Sequence, residues 1–261
     1  MAMPSLTSAW TKTDLINWIA SQREYRSYLE LCTVTSGLRY REIDRTCLAV
    51  CHRLMYRCPS GYADELPIDF RSVGLDISEC VRVIRERGYR YDIILVDPLH
   101  EYGASMRDLT EALGLLTDRG TIVVHDCLPP TAELAGPNFR AGDWCGVTYQ
   151  AYLDFVFARA NLEYRTVDID YGCGVIRARP GFARFRGWWR MSRKRRALIA
   201  QWYALGHDSN KTFNFLQSHK TLISNLRSLD DFIAEEGAAS AHQDWRHSAR
   251  SAETDFLHHT R

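Results

Sequence analysis

The sequence predicts an α/β protein with a mostly parallel sheet, and three observations support this. Residues 93–96 and 121–124 are short apolar runs rich in β-branched residues, which are typical of buried strands. The segment between them has apolar residues at helical spacing. Residues 162–179 alternate apolar and polar side chains on both sides of a DYGCG turn, which predicts an antiparallel hairpin. Together these elements indicate a parallel sheet with a reversed final strand.

Length and composition limit the class of protein. The chain has 261 residues, of which 46% are hydrophobic and 25% charged, enough for one α/β domain and an extension. A net charge of +1 gives no general attraction to nucleic acid or anionic membranes. No apolar stretch reaches the roughly 18 residues of a membrane-spanning helix, and the N-terminus lacks the pattern of a signal peptide. We therefore expect a cytoplasmic protein, whose eight cysteines are free thiols.

The chain begins with an N-terminal segment, residues 1–26, that contains an amphipathic helix. From Thr13 to Arg26, apolar residues such as Leu15 and Ile19 recur at helical spacing. We expect this face to cover an edge of the sheet or a partner subunit. Thr13 is the predicted N-cap.

The first strand is predicted at Tyr28 to Cys32 and is followed by a TVTSG turn, residues 33–37. Glycine and small hydroxyl residues at such a turn let the backbone approach a ligand, although many turns of this composition bind nothing. A second strand is predicted at 52–57. Asp76 or Ser78 is the predicted N-cap of the next helix, and Asp76 is equally a candidate ligand contact.

Polar residues follow both central strands. Asp97 and His100 follow the first, and His125 and Asp126 follow the second. Because carboxyl ends of parallel strands meet at the edge where α/β sheets bind ligands, we expect these four side chains to lie together. Two carboxylates suit Mg²⁺ or Mn²⁺, and an imidazole suits proton transfer. The alternatives are a locally hydrogen-bonded His100, a His125 that only orients its neighbour, and an Asp126 that caps a loop.

The C-terminal part has a different composition. Residues 177–196 contain nine basic residues interleaved with aromatic residues and no acidic residue. This pattern suits a lipid surface, a nucleic-acid backbone or an anionic substrate, and equally a solvated helix face. Residues 210–236 have the spacing of a helix that packs on a partner, which favours a homodimer. We expect a helical extension at 180–236 and a flexible tail at 237–261.

Taken together, these motifs resemble the class I SAM-dependent methyltransferases. The likeness runs from residue 27 to residue 179, and its most specific parts are a strand-end D-x-x-H-x-Y followed by a G-x-I-x-x-H-D-x-x-P strand. It implies a Rossmann-like fold with a mostly parallel seven-stranded sheet and an antiparallel terminal hairpin. It also implies transfer of a methyl group from S-adenosylmethionine (SAM) to a hydroxyl of a sugar or other small molecule.

The resemblance also implies roles for individual residues. The cofactor-binding residues that it implies are Glu30, Thr33, Thr35, Ser36, Gly37, Asp76, Ile77 and Asp97. It implies His100 as the catalytic base, and Asp97 and Asp126, with His125, as ligands of Mg²⁺ or Mn²⁺. Cys32 and Val34 stand where the family usually has glycines.

Two other functions are consistent with the sequence. The substitutions at Cys32 and Val34 would suit a methyltransferase fold that binds partners without catalysis. The four strand-end residues would suit a metal-dependent α/β enzyme that does not use SAM. Binding of S-adenosylhomocysteine (SAH) would separate both from the methyltransferase, since a ligand that binds only the folded state stabilises it.

Overall fold

The computed structural model describes residues 10–32, 40–55, 77–140, 142–179 and 191–238. They form a seven-stranded sheet covered by helices. The strands are β1 (Ser27–Cys32), β2 (Val50–Met55), β3 (Tyr91–Asp97), β4 (Leu116–Val124), β5 (Leu162–Val167), β6 (Cys173–Ala178) and β7 (Leu226–Arg227). The helices are α1 (Lys12–Arg23), α2 (Ile77–Glu86), α3 (Tyr102–Leu115), α4 (Thr148–Phe157), α5 (Arg193–Ala204), α6 (Ser209–Ile223) and α7 (residues 229–238).

The strand order is β2-β1-β3-β4-β6-β5-β7. Strand β6 runs antiparallel to its neighbours β4 and β5, and all other pairs are parallel. The predicted Rossmann-like α/β fold, with a mostly parallel sheet and an antiparallel hairpin, is therefore confirmed. The short strand β7, at the edge beside β5, was not predicted and completes the seven.

The strand order changes direction at β1, because β2 lies on one side of it and β3 on the other. In open α/β sheets, ligands bind outside the carboxyl ends of the strands at such a switch point. Cys32 and Asp97, which end β1 and β3, are directly paired across it. The fold therefore places Asp97 at the expected ligand crevice.

The two faces of the sheet have separate apolar cores, because side chains alternate along each strand. On one face Ile93 and Leu95 pack in a cluster with α1 and with Phe232 of α7. On the other, Ile94 and Val96 pack in a larger cluster with residues of α2 to α6. Helix α1 is thus one of the few described elements that cover the first face.

Helix α1 differs in two ways from the sequence prediction. Its N-cap is Thr11, not Thr13, because the side chains of Thr11 and Asp14 form a capping box. Thr13 is buried in the first turn. The apolar side of the helix, with Leu15 and Ile19 at 0% and 1% exposure, lies on the face of its own sheet and not on an edge or a partner.

The segment 210–236, predicted as one helix that packs on a partner, is divided into α6, β7 and α7. The break falls at Asn225, whose left-handed backbone (φ 53°) ends the helical path. Phe213, Leu216 and Ile223 of α6 are buried in the larger core. The apolar face of this segment therefore packs on its own domain.

The basic stretch 177–196 is only partly described, since residues 180–190 lie outside the described ranges. Arg177 is buried and pairs with Glu236, so it does not belong to an exposed basic surface. Arg179 donates to the Leu162 carbonyl at 3.0 Å. An anionic contact would have to rest on the other residues of the stretch.

Seven of the eight cysteines are described, and all seven are free thiols, as predicted: Cys32, Cys47, Cys51, Cys80, Cys127, Cys145 and Cys173. Cys58 lies outside the described residues. Among the helices described, none has the length and apolar character that crossing a bilayer requires.

Candidate active site

Six charged or titratable side chains meet at the carboxyl edge of β3 and β4, and we call them the carboxyl-edge cluster. They are Lys12, Asp97, His100, His125, Asp126 and Asp170. Asp97 ends β3, and His100 follows just before α3. His125 and Asp126 follow β4 directly. The four strand-end residues singled out by the sequence are therefore brought together, as predicted.

Asp97 lies at the centre of the cluster and is 1% exposed. Its Oδ2 is 2.6 Å from Lys12 Nζ. Its Oδ1 is 3.4 Å from His125 Nδ1 and 3.7 Å from His100 Nε2. Burial alone would raise the pKa of Asp97, but the charge of Lys12, followed by that of His125, holds the pKa well below its usual value. Asp97 is therefore an ionised carboxylate.

Asp126 connects the two imidazoles. Its Oδ2 is 3.0 Å from His100 Nε2 and 3.0 Å from His125 Nδ1. Burial would raise the pKa of Asp126, but these two histidines lower it instead. The residue has a left-handed backbone (φ 59°), which Asp tolerates better than most residues do. This turn directs the carboxylate toward the histidines directly after β4.

The two histidines differ in their access to solvent. The side chain of His100 is 20% exposed, whereas that of His125 is 9% exposed. Burial would lower the pKa of His100, but Asp126 and Asp97 outweigh it and raise the pKa to about 9. The pKa of His125 is also raised, because Asp126 and Asp97 overcome the cost of burial. Neither Nε2 atom makes an aligned hydrogen bond with the described residues, although carboxylates lie near both.

Lys12 and Asp170 are members of the cluster that the sequence analysis missed. Lys12 is 7% exposed, and its Nζ also lies 3.4 Å from His125 Nδ1. Burial would lower the pKa of Lys12, but Asp97 raises it above its usual value, so the group is an ammonium. The backbone N–H of Lys12 donates to Asp170 Oδ2 at 2.9 Å.

A sequence signal for Lys12 exists. The residue precedes Ile16 by four positions and Ile19 by seven, so it lies on the buried side of α1. A lysine on an apolar helix face requires a buried partner. Asp170 belongs to the DYGCG turn of the hairpin and carries no comparable signal, although its left-handed backbone (φ 43°) brings it within 3.4 Å of His125 Nε2.

The segment before α4 packs against His100. The rings of His100 and Trp144 are 5.3 Å apart, and the N–H of Val147 donates to the His100 carbonyl at 2.9 Å. Gly146 has a left-handed backbone (φ 56°), and a Cβ there would collide with the His100 carbonyl. This close packing fixes the backbone of His100 at the mouth of the cluster.

The residues predicted to bind the cofactor are only partly described. Thr33, Thr35, Ser36, Gly37 and Asp76 lie outside the described residues, and Ile77 is the first residue of α2. Glu30 is buried in β1. Its carboxylate accepts a hydrogen bond from Tyr28 at 2.9 Å and lies 3.3 Å from Arg53 Nε. A contact between Glu30 and a cofactor stays a prediction.

The cluster contains a set of donors that suits a metal ion by type. Asp97, His100 and Asp126 each offer a ligand atom, and these atoms lie within 4.8 Å of one another. Oxygen-rich sets suit Mg²⁺ or Mn²⁺. His125, which the sequence predicted as a ligand, is not one of these three residues, and its role as a ligand stays a prediction.

The position of Lys12 opposes a divalent ion at this set. An ion in this set would be bound by Asp97 Oδ1, the oxygen that faces His100. At a metal–oxygen distance of about 2.1 Å it would lie within about 7 Å of the Lys12 ammonium, which is 2.6 Å from Oδ2 of the same carboxylate. Repulsion between charges of +2 and +1 at that distance is about 5 kcal/mol at an effective dielectric constant of about 20. The residues as arranged therefore do not fit a divalent ion while Lys12 contacts Asp97. The predicted Mg²⁺ or Mn²⁺ stays a prediction.

No family model matches the chain, and no curated protein matches it. The chain is similar to several solved structures. One is the O-methyltransferase from Bacillus cereus in complex with SAH, at 12% identity and a TM-score of 0.48, over 67% of this chain and 84% of that one. Another is the O-methyltransferase TomG from Streptomyces achromogenes, involved in tomaymycin synthesis, in complex with SAM; it has 14% identity and a TM-score of 0.45, over 68% and 83%. A third is the SAH-bound methyltransferase PaMTH1 from Podospora anserina, at 16% identity and a TM-score of 0.44, over 64% and 78%.

Proposed function

We propose that the protein is a SAM-dependent O-methyltransferase that acts on a hydroxyl of a sugar or another small molecule. The observation that carries the proposal is the position of His100. Its imidazole is partly exposed at the carboxyl edge of the sheet and lies 3.0 Å from the Asp126 carboxylate. A partly exposed imidazole beside a buried carboxylate is an arrangement that suits a general base.

The proposed reaction is a direct displacement. SAM supplies an activated methyl group on its sulfonium. The acceptor oxygen forms a bond to the methyl carbon, the carbon–sulfur bond breaks with its electron pair moving to sulfur, and the acceptor loses its proton. His100 takes this proton. Because Nε2 faces the carboxylates of Asp97 and Asp126, Nδ1 is the nitrogen that remains for the acceptor, and Asp126 stabilises the resulting imidazolium.

The proposed cofactor site is the crevice beyond β1 and β3. The strand order changes direction there, so the carboxyl ends of β1 and β3 open onto the same crevice. In the proposed site, residues 33–37, Asp76, Ile77 and Asp97 would hold SAM, as the sequence resemblance implies. Glycine at position 37 lets the backbone approach the cofactor closely.

Binding of SAH tests the proposal most directly. We expect isothermal titration to give saturable binding to the wild type and affinity at least tenfold weaker in Gly37→Val. Gly237→Val is the matched control, since a Cβ at Gly237 meets no neighbouring atom, and it should bind as the wild type does. Methyl transfer is then measured with labelled SAM and a panel of hydroxylated small molecules and sugars. Absence of SAH binding by the folded wild type at millimolar ligand would overturn the proposal.

The partners predicted from the sequence stay predictions. They are the class of acceptor, the homodimer, and an anionic or membrane surface bound through residues 177–196. The net charge of +1 indicates no general attraction to nucleic acid. Analytical ultracentrifugation would test the homodimer without reference to catalysis.

A further inference from the structure

The ammonium of Lys12 is held in the carboxyl-edge cluster by the structure on several sides. Its Nζ lies 2.6 Å from Asp97 Oδ2 and 3.4 Å from His125 Nδ1. The backbone N–H of the same residue donates to Asp170 Oδ2 at 2.9 Å. One residue thus contacts the last residue of β3 and residues that follow β4 and β5.

The start of α1 is also fixed. Thr11 and Asp14 form a capping box around Lys12, with the Thr11 N–H donating to the Asp14 carboxylate at 2.8 Å. Ile16 and Ile19, one and two turns further on, anchor the same side of the helix in the core. Because a buried ammonium is unfavourable without a partner, this placement indicates a defined role for the charge.

We propose that Lys12 takes the place of a divalent metal ion at the strand-end carboxylates, so that the reaction of the proposed function requires no metal. Lys12 acts as a positioning residue. It neutralises Asp97 and fixes that carboxylate beside His125. His125 and His100 in turn both lie beside the Asp126 carboxylate. Helix α1 is therefore part of the active site. This inference rests on the proposed function for its catalytic consequence, but not for its effect on metal binding.

The substitution has a chemical consequence for the acceptor. A divalent ion can coordinate two neighbouring oxygens of an acceptor and lower the pKa of a bound hydroxyl. An ammonium that donates to Asp97 cannot coordinate acceptor oxygens in this way. His100 alone then removes the proton. The acceptor needs only one hydroxyl near His100 and no second oxygen beside it.

Binding of Mn²⁺, followed by electron paramagnetic resonance, tests the proposal without SAM or acceptor. We expect the wild type to show no stoichiometric binding at submillimolar Mn²⁺. Lys12→Met keeps most of the side-chain volume and removes the charge, and it should gain a site with at least tenfold higher affinity. Lys12→Arg keeps the charge and should behave as the wild type does. Lys12→Met combined with Asp97→Asn should lose the gained site.

A matched control removes an ammonium elsewhere. Lys211 pairs with Asp208 at 3.3 Å, and its side chain is 67% exposed. Lys211→Met changes the net charge by the same amount and should leave Mn²⁺ binding unchanged. Circular dichroism shows whether each variant is folded.

The outcomes separate the two proposals. Stoichiometric Mn²⁺ binding to the wild type that Asp97→Asn abolishes would overturn the role of Lys12, and this measurement remains decisive if Lys12→Met fails to fold. A folded Lys12→Met that gains no Mn²⁺ affinity would overturn it as well. Absence of SAH binding, with the expected Mn²⁺ pattern, would remove the proposed function alone. Where methyl transfer is observed, EDTA should leave the wild-type rate unchanged, and a loss of activity in EDTA would contradict the proposal.

Discussion

Helix α1 carries at each of its ends a cation that pairs with a buried carboxylate, and the two cations lie at opposite ends of the strands. Lys12 contacts Asp97 in the carboxyl-edge cluster. At the other end Arg23 Nη2 lies 2.7 Å from Glu236, and Glu236 also pairs with Arg177 at 2.6 Å. Arg177 in turn donates to Thr121 Oγ1 at 2.8 Å. We call Arg23, Thr121, Arg177 and Glu236 the amino-edge cluster.

The two clusters differ in how completely their polar atoms are satisfied. In the amino-edge cluster both carboxylate oxygens of Glu236 accept aligned guanidinium hydrogen bonds, and of Arg177 only Nη2 has no partner among the described atoms. In the carboxyl-edge cluster the Nε2 atom of His100 lies 3.7 Å from Asp97, and that of His125 lies 3.4 Å from Asp170. Neither Nε2 atom makes an aligned hydrogen bond with a described residue. We infer that the first cluster stabilises the fold, whereas the second retains groups that can react.

Removal of the His100 imidazole should have the largest effect on activity. We expect His100→Ala to lower kcat by roughly 10²–10⁴-fold, since a general base contributes that much. Binding of SAH should persist, because a base acts on the acceptor proton and not on the sulfonium. Single-turnover methyl transfer and SAH titration measure the two effects separately. A His100→Ala enzyme with wild-type turnover would remove His100 from the chemistry.

The origin of the two clusters determines how much of each could be predicted from sequence. Asp97, His100, His125 and Asp126 lie next to strand ends, and parallel strands bring such ends together, so local patterns were sufficient. Lys12 lies 85 residues from Asp97 along the chain. Such a pairing depends on which face of the sheet a helix covers, and that follows from tertiary packing.

Long sequence separation also explains why the amino-edge cluster could not be predicted from the sequence. Arg177 and Glu236 are 59 residues apart, and Arg23 and Glu236 are 213 residues apart. The basic composition around Arg177 suggested a surface, but the residue sits in β6 opposite Thr121 and points into the protein. The helix predicted across 210–236 was wrong at Asn225 because helical spacing alone does not reveal a single left-handed residue.

Removal of Glu236 should affect stability and leave the chemistry unchanged. Its side chain is 5% exposed, and its loss leaves two guanidinium groups without their carboxylate. Breaking a buried pair in this way costs about 3–5 kcal/mol, so we expect Glu236→Ala to lower the free energy of unfolding by that amount in urea titrations. Activity per folded molecule should stay within about twofold of the wild type.

A matched control exists in α2, where Arg82 and Glu86 pair at 2.6 Å with side chains 57% and 59% exposed. Glu86→Ala should change the free energy of unfolding by less than about 1 kcal/mol, since exposed pairs contribute little. Equal losses in Glu236→Ala and Glu86→Ala would mean that the amino-edge cluster does not stabilise the fold.

The pH dependence of stability should come from the carboxyl-edge cluster. The folded state raises the pKa of His100 from 6.5 to about 9. The stabilisation from its protonated form is therefore complete below about pH 6.5 and is lost as the pH rises to about 9, a change of about 3 kcal/mol by linkage. Glu236 does not titrate in this range, because Arg177 outweighs the effect of burial and lowers its pKa. Urea titrations of the wild type and of His100→Asn between pH 6 and 9.5 measure the difference.

The ionisation of His100 should also govern catalysis, but activity should increase as the pH rises, whereas stability decreases. A base with a pKa of about 9 is protonated at neutral pH, so kcat/KM should rise about tenfold per pH unit up to about pH 9. Glu236→Ala should keep this profile. A profile that is flat between pH 6.5 and 8.5 would contradict the predicted ionisation of His100.

The smallest expected effect concerns Gly146, which lies in the segment before α4 and packs against the backbone of His100. Gly146 and Gly88 both have left-handed backbones, at φ 56° and 73°, but a Cβ would collide with the His100 carbonyl at Gly146 and meets nothing at Gly88. Gly88→Ala should cost about 1 kcal/mol for the backbone alone. Gly146→Ala should cost about 1 kcal/mol more in urea titrations and should also lower kcat, because the added atom displaces His100. If the two variants have equal stability and unchanged turnover, the contact between Gly146 and His100 does not position the base.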